Sequence, residues 1–229
     1  MPTPSPLYVS PEQVMRDRAD YARKGIARGR AVAAVTWEHG VVFIGENPSR
    51  LLSKTSEIYD RIAFAAVGKY NEFESLRVAG IRLADVKGYQ YARDDVTAKS
   101  LATAYSQSLG TMFMGEAKPF EVELLIAQVN GPATPVELFH ILYDGSIVDE
   151  RDVVAIGGDA DAVKARLREG FEPGMGLAAA IALGRDALVG GDDRELAAGD
   201  LEVSGLDRTL GRRLFFRLEP DDIAAALDA

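Results

Sequence analysis

The sequence has no cysteine among its 229 residues and only two histidines, His39 and His140. Without cysteine there can be no disulfide bond, no thiolate metal ligand and no cysteine nucleophile. One histidine stands in a predicted hairpin turn and the other in a predicted strand, and neither belongs to a metal-binding motif such as H-E-x-x-H. We therefore expect no histidine-based zinc site and no cofactor, whereas a metal site built from carboxylates alone stays open.

Long apolar runs and an excess of basic residues are also missing. No stretch of 18 consecutive apolar residues occurs, and the first ten residues show no basic region followed by an apolar core. The sequence therefore predicts neither a membrane span nor a signal peptide. The net charge of −9 argues against a broad basic surface for nucleic acid. We expect a cytoplasmic protein with neither a nucleic-acid partner nor a membrane partner.

The first residues differ in composition from the rest of the chain. Residues 1–10 contain three prolines among small side chains, a composition that predicts a mobile arm. Ser10 followed by Pro11 is typical of the start of a helix, because the hydroxyl caps the first turn and proline fits there. We therefore expect a short N-terminal arm, residues 1–10, followed by a single domain, residues 11–229.

Apolar periodicity along the remaining chain predicts strands in runs and helices in pairs. The predicted strands cover about 31–36, 41–44, 61–67, 120–126, 138–143, 147–148, 153–156, 201–203 and 214–218. The predicted helices cover about 69–87, 163–171, 177–188 and 221–227, and a further one begins near Asp95 as its cap. This order disfavours regular βαβ alternation and favours two antiparallel sheets with a helix pair on each outer face. The expected fold class is α+β, a four-layer αββα sandwich with an extra N-terminal helix.

One glycine motif matches a known pattern for cofactor binding. Residues 174–179, Gly-Met-Gly-Leu-Ala-Ala, fit the G-x-G-x-x-A pattern of dinucleotide sites. Such a site needs the glycines directly after a strand, but here they follow the helical pattern that ends near Phe171. We interpret the motif as a turn before a helix. No G-x-S-x-G sequence occurs, which argues against an α/β-hydrolase.

The predicted order of elements resembles that of N-terminal nucleophile hydrolases, in which the first strand begins with the catalytic residue. In those enzymes a Thr, Ser or Cys becomes the mature N-terminus, and its own α-amine acts as the base. The matching place here is Gly29-Arg30, and an arginine cannot attack a carbonyl carbon. The nearest hydroxyl, that of Thr36, lies well inside the predicted strand. We therefore expect this chain to have no catalytic residue.

Several segments of the sequence resemble one known family in order and spacing. They read SPEQ, DYARKGIARG, GVVFIGENPSR, SKTSEIYDRIAFAAVGKYNEFESLR, GYQYARDDVT and EAKPFEVEL. Together they resemble the proteasome α subunits of actinobacteria, and the similarity extends from about Tyr8 to Leu218. The first two segments resemble the N-terminal helix that marks α subunits and that mature β subunits lack.

The resemblance implies a non-catalytic subunit of a protease. Members of this family form heptameric α rings that cap rings of β subunits, and the β subunits hold the threonine nucleophiles. The α ring surrounds the pore, its N-termini close that pore, and a hexameric proteasomal ATPase docks its C-terminal tails between adjacent α subunits. The implied partners are further copies of this chain, β subunits, the ATPase and unfolded protein substrates in transit.

The resemblance also implies roles for individual residues. Lys54 matches the lysine that contacts the terminal carboxylate of an ATPase tail, a role that suits an ammonium group. Pro11 and Tyr21 match in kind the two residues that support the gate, although their spacing is one residue longer than in archaeal members. The implied gate consists of the first nine residues: Met1, Pro2, Thr3, Pro4, Ser5, Pro6, Leu7, Tyr8 and Val9. Of the Tyr-Asp-Arg motif found in other α subunits, only Tyr8 is present.

The predicted N-terminal helix adds an expectation about assembly. It carries an apolar stripe and six basic residues and precedes the first strand. We expect it to have no sheet to cover in its own subunit and to be stabilised by neighbouring subunits of a ring.

Two other functions remain as alternatives. The first is an active N-terminal threonine peptidase that is processed at an unexpected position. The second is a free-standing small-molecule enzyme such as a dehydrogenase, which would have to bind nucleotide tightly.

Overall fold

The computed structural model describes residues 10–49, 51–131, 134–190 and 194–229, so the predicted gate, residues 1–9, lies outside it. The helices of the described residues are α1 (Pro11–Ala27), α2 (Tyr70–Gln90), α3 (Ala98–Gly115), α4 (Ala160–Gly170), α5 (Leu177–Val189) and α6 (Pro220–Leu227). The strands are β1 (Val32–Trp37), β2 (Gly40–Glu46), β3 (Thr55–Tyr59), β4 (Ile62–Gly68), β5 (Val122–Gln128), β6 (Glu137–Ile141), β7 (Ile147–Glu150), β8 (Val153–Ile156), β9 (Leu201–Asp207) and β10 (Phe215–Leu218). Within these ranges, no helix is both long and apolar enough to cross a membrane.

The strands form two five-stranded sheets in which every pairing is antiparallel. The first sheet has the strand order β10-β9-β2-β1-β8, and the second has the order β3-β4-β5-β6-β7. Helices α4, α5 and α6 cover the outer face of the first sheet, and α2 and α3 cover that of the second. A third apolar cluster lies between the two sheets. The predicted four-layer αββα sandwich is therefore confirmed.

Strand β2 shows how the core fixes the position of the strand ends. Val41 and Phe43 contact the cluster between the sheets, whereas Val42 and Ile44 contact the cluster under the helices. Alternate side chains of a strand point to opposite faces, and a strand that is covered on both faces reads as a continuous apolar run. The final residue of the strand, Glu46, thus stands at the rim of a rigidly packed sheet.

The starts of two helices test the predicted caps. At α1 the Ser10 hydroxyl accepts a hydrogen bond from the Gln13 N–H at 3.2 Å, as predicted. At α3 the prediction of Asp95 as the cap is wrong, because the Thr97 hydroxyl accepts from the Ser100 N–H at 3.2 Å. Asp95 instead ends a short 3-10 turn, and its carboxylate accepts from the N–H three residues earlier at 3.1 Å.

Helix α1 packs against its own subunit. Ala22 and Ile26 are buried against Phe113 at the end of α3 and Tyr143 after β6. The Arg18 guanidinium donates to a backbone carbonyl just after α3 at 2.5 Å. The helix also contacts β4 and β5 of the second sheet, so the expectation that it has no sheet to cover in its own subunit is wrong. Its apolar stripe is used within the chain, and apart from Arg18 its basic side chains are exposed.

Strand β3 was not predicted from the sequence. It is an edge strand, and only Thr55 and Ile58 among its residues are buried. A register shift between Glu57 and Tyr59 further breaks the alternation of polar and apolar side chains. The periodicity of a half-exposed, irregular strand is too weak to predict it.

The glycine motif lies in a turn between two helices. Gly174 has a φ angle of +81°, which favours glycine, and Gly176 caps the start of α5. The motif follows α4 and not a strand. The interpretation of this motif as a turn before a helix is confirmed.

Candidate functional site

An arginine stands where an N-terminal nucleophile hydrolase needs a hydroxyl or thiol. Between α1 and β1, Gly29 packs so closely that a Cβ there would lie 2.6 Å from Cγ1 of Val67. Arg30 follows it and forms an ion pair with Glu46 across the start of the sheet. Thr36 lies within β1, as predicted, and is its second-last residue. The residues that open this strand therefore supply a cation and no nucleophile.

The ammonium group of Lys54 lies at the same place. Lys54 precedes β3, and its Nζ donates to the Arg30 carbonyl at 2.7 Å and to the Glu46 carbonyl at 2.9 Å. Its stem passes over Gly45, where a Cβ would lie 3.9 Å from Cδ of Lys54. An ammonium group has three donors. Two of them are used by the chain itself, so one donor is left for an acceptor from outside.

The surroundings of Lys54 weaken its charge. Burial lowers the pKa of Lys54 from 10.5 to about 8, although the carboxylates of Glu202 and Glu46 oppose this effect. The guanidinium of Arg30 lowers this pKa further. Any carboxylate that binds here would favour the protonated amine, because opposite charges stabilise each other.

Glu202 on β9 is the centre of the hydrogen bonds around Lys54. One of its oxygens accepts from the Lys54 N–H at 3.0 Å and from Asn47 Nδ2 at 2.6 Å. The other accepts from the N–H and hydroxyl of Thr55, at 3.0 and 2.5 Å, and from Arg217 at 2.8 Å. Burial alone would raise the pKa of Glu202, but these hydrogen bonds outweigh it and hold the pKa below its usual value. Glu202 is therefore a charged, buried and fully bonded carboxylate.

A second buried carboxylate, Glu46, lies on the other side of Lys54. It accepts from Arg30 and from Arg194, the latter at 3.0 and 3.1 Å. Four cationic side chains thus surround two carboxylates, namely Arg30, Lys54, Arg194 and Arg217 around Glu46 and Glu202. With Lys54 protonated, the cluster has an excess of positive charge that suits an anionic ligand.

The other two predicted site residues lie on α1 and not beside Lys54. Pro11 occupies the first turn of the helix, and Tyr21 is half exposed ten residues later. At a rise of about 1.5 Å per residue, the two lie about 15 Å apart along the helix axis, so the structure does not bring them together. Tyr21 lines an open cleft of about 620 Å³, and the Lys118 ammonium lies 5.6 Å from the centre of its ring.

Sequence reasoning missed the two buried glutamates. Each is a carboxylate within an apolar strand, in GVVFIGE and in LEVSGL. A charge in such a position needs a partner, and that was the signal available. Among the described residues, no group of three or more histidine or carboxylate side chains is arranged to hold a metal ion.

The sandwich, the additional helix before β1 and the arginine at the start of that strand define a class of protein. It has the fold of N-terminal nucleophile hydrolases, with a cation where these enzymes carry their nucleophile. The sequence profile of the family described as Proteasome subunit matches residues 26–204. The chain belongs to the proteasome subunit family.

Three relatives narrow this assignment, and each is named Proteasome subunit alpha. The one from Kineococcus radiotolerans is 54% identical, over 97% of this chain and 98% of the relative. The one from Acidimicrobium ferrooxidans is 54% identical over 97% of this chain and 95% of the relative. The one from Geodermatophilus obscurus is 53% identical over 97% of this chain and 81% of the relative. The predicted resemblance to α subunits of actinobacteria is confirmed.

Proposed function

We propose that this chain is a non-catalytic α-ring subunit of a proteasome core particle. Copies of the chain form a heptameric ring, which stacks on catalytic β subunits and controls the passage of unfolded proteins to their threonine nucleophiles. The observation that carries this proposal is the pairing of Arg30 with Glu46 at the start of β1, in a chain similar to α subunits along nearly its whole length. The proposed location is the cytoplasm.

Lys54 is the proposed docking residue for the C-terminal tails of a hexameric proteasomal ATPase. Its third ammonium donor is available, and the cations of Arg30 and Arg217 add positive charge around it. A charge-assisted hydrogen bond to a terminal carboxylate is stronger than a neutral one. A carboxylate also restores the charge that burial weakens.

The proposed gate consists of residues 1–9, with Pro11 and Tyr21 as supporting residues. The described chain begins at Ser10, which caps an α1 that is anchored on its own subunit. Nine residues span at most about 30 Å when extended. The proposal requires that the pore enclosed by neighbouring subunits lies within this distance of Ser10.

Replacement of Lys54 by alanine tests the docking role. We expect Lys54→Ala to abolish most ATPase-dependent degradation of an unfolded protein by particles assembled with a β partner. Hydrolysis of short peptides by the same particles should stay unchanged, because the β subunits perform it. Lys99→Ala removes an exposed lysine at the start of α3 and is the matched control. Undiminished ATPase-dependent degradation by the Lys54→Ala particle would show that the docking role is wrong.

The alternative of an active threonine peptidase makes a different prediction. Such an enzyme must be cleaved so that a threonine or serine becomes its N-terminus. N-terminal sequencing of the chain from assembled particles distinguishes the two functions. We expect the uncleaved arm, apart from removal of the initiator methionine.

A further inference from the structure

We propose that Glu202 is the residue that positions Lys54 for carboxylate binding. This inference rests on the docking function proposed for Lys54 and adds a second residue to it. Glu202 is only 8% exposed, so it does not meet the ligand itself. It acts by fixing the backbone from which the lysine side chain extends.

The described residues between β2 and β3, 47–49 and 51–54, form neither helix nor strand, and Lys54 is the last of them. One oxygen of Glu202 accepts from Asn47 Nδ2 at the start of this segment and from the Lys54 N–H at its end. Asn47 Nδ2 also donates to the Leu52 carbonyl at 2.7 Å. A single carboxylate oxygen thus holds both ends of the segment together.

Glu202 itself is held by the sheets. It lies within β9, which pairs with β2 on one side and β10 on the other. Its second oxygen is bonded to Thr55, the first residue of β3, and to Arg217 on β10. The anchor for Lys54 is therefore a side chain with little freedom to move.

Positioning matters because a lysine side chain is long and flexible. The Lys54 ammonium reaches the carbonyls of Arg30 and Glu46 only while its backbone stays at the rim of the first sheet. A ligand binds more tightly when the group that receives it is already ordered. Without the Glu202 carboxylate, the Lys54 side chain would become ordered only when the ligand binds. The loss of its conformational freedom would then weaken the affinity for the ligand.

The test measures binding of a synthetic peptide to assembled particles. The peptide carries the C-terminal sequence of the cognate ATPase with a free carboxylate, and its C-terminal amide is the negative probe. The chains compared are the wild type, Glu202→Gln, Lys54→Ala and the double variant. Glu150→Gln is the matched control, because Glu150 is also a largely buried carboxylate that accepts from a lysine, Lys164. It lies on β7, at the opposite edge of the second sheet from β3.

We expect Glu202→Gln to weaken binding roughly tenfold, since an amide cannot accept all the hydrogen bonds that the carboxylate accepts. Glu150→Gln should have no effect. The double variant should bind as weakly as Lys54→Ala and no more weakly, because the two residues act through one contact. Binding should also decline at a lower pH in Glu202→Gln than in the wild type. The groups that face Lys54 are Arg30, Glu46 and Glu202, and this substitution removes one of the two charges that favour the protonated amine.

Two results would overturn the inference, and they differ in what they say about docking. If Lys54→Ala loses binding while Glu202→Gln keeps both the wild-type affinity and the wild-type pH profile, docking stands and the positioning role is wrong. If Lys54→Ala binds as tightly as the wild type, both the docking role of Lys54 and the positioning role of Glu202 are wrong. Should Glu202→Gln fail to assemble, Asn47→Ala removes the hydrogen bond between Glu202 and the start of the segment but keeps the bond from the Lys54 N–H and the pair with Arg217. Wild-type binding by that variant would contradict the claim that Glu202 must hold both ends of the segment.

Discussion

At the scale of single residues, Lys54 combines two opposed features. Its ammonium is held by two backbone carbonyls, which orient it without supplying a counter-charge. Burial meanwhile lowers its pKa to about 8. The free subunit therefore holds a lysine that is well placed but easily deprotonated. A ligand with a carboxylate binds the protonated form only, so binding and protonation are coupled.

This coupling predicts that tail binding depends on pH. Below about pH 8 Lys54 is protonated and binding is strong, and as the pH rises above that value the free subunit loses the proton that the ligand needs. The dissociation constant should rise by up to about tenfold per pH unit in that range. Lys54→Arg should show a flat profile, because a guanidinium stays charged throughout. Titration of the ATPase-tail peptide by fluorescence anisotropy provides the measurement, and a flat wild-type profile would contradict this account.

The residues of the site differ in how far the sequence predicts them. Lys54 in isolation is indistinguishable from a solvated lysine, and only the resemblance to a family singled it out. Glu202 bonds to Asn47 and Lys54, which precede it by 155 and 148 residues. Contacts over such distances depend on which strands become neighbours, and that information is not local. The absence of a nucleophile before β1, in contrast, could be predicted from the sequence. The order of the predicted elements identifies the first strand, and the residue that precedes it is an arginine.

At the scale of elements, helices α2 and α3 approach each other closely at one glycine. A Cβ on Gly80 of α2 would lie 1.7 Å from the hydroxyl oxygen of Tyr105 on α3. That hydroxyl is buried and has no hydrogen-bond partner within the described part of the chain. Burial accordingly raises the pKa of Tyr105. The contact therefore leaves no room for a side chain at position 80, and it buries the Tyr105 hydroxyl without a hydrogen bond.

Two substitutions at this contact should have opposite effects on stability. Tyr105→Phe removes the unpaired hydroxyl and should stabilise the chain by about 1 kcal/mol. Gly80→Ala should destabilise it by about 1–3 kcal/mol, because the ring must move to admit the methyl group. With phenylalanine present, the loss from Gly80→Ala should shrink, since the nearest remaining ring atom is 2.7 Å away. Urea unfolding of the isolated chain gives the free energies of unfolding of the wild type, the two single variants and the double variant. If Gly80→Ala costs the same stability with tyrosine and with phenylalanine at position 105, the hydroxyl is not the cause of the loss.

Most elements were predictable because their periodicity is strong. Strands such as β4 and β5 are buried along almost their full length. The failures occurred where a local pattern was ambiguous. Asp95 and Thr97 are both good capping residues, and the sequence does not show which turn each one caps. The packing of α1 on Phe113 was missed because it joins segments far apart in the chain.

At the scale of the whole molecule, the candidate site joins the two sheets at one edge. Thr55 belongs to the second sheet, and its hydroxyl lies between Glu202 and Ser204 of the first sheet, at 2.5 and 2.8 Å. A cluster of apolar side chains fills the space between the two sheets. If Lys54 binds a ligand as proposed, hydrogen bonds would link that ligand to both halves of the sandwich.

The central claim is that the chain controls access to catalytic subunits and does not cleave substrate itself. The most direct test is the rate at which particles assembled from this chain and a β partner degrade an unfolded protein without ATPase. The comparison is between the full-length chain and one that lacks residues 1–9, with hydrolysis of a short peptide as the measure of intact β sites. We predict that the truncated chain gives clearly faster protein degradation, because the arm that blocks the pore is removed. Equal degradation by both particles, with assembly and peptide hydrolysis intact, would contradict the gating role of this chain.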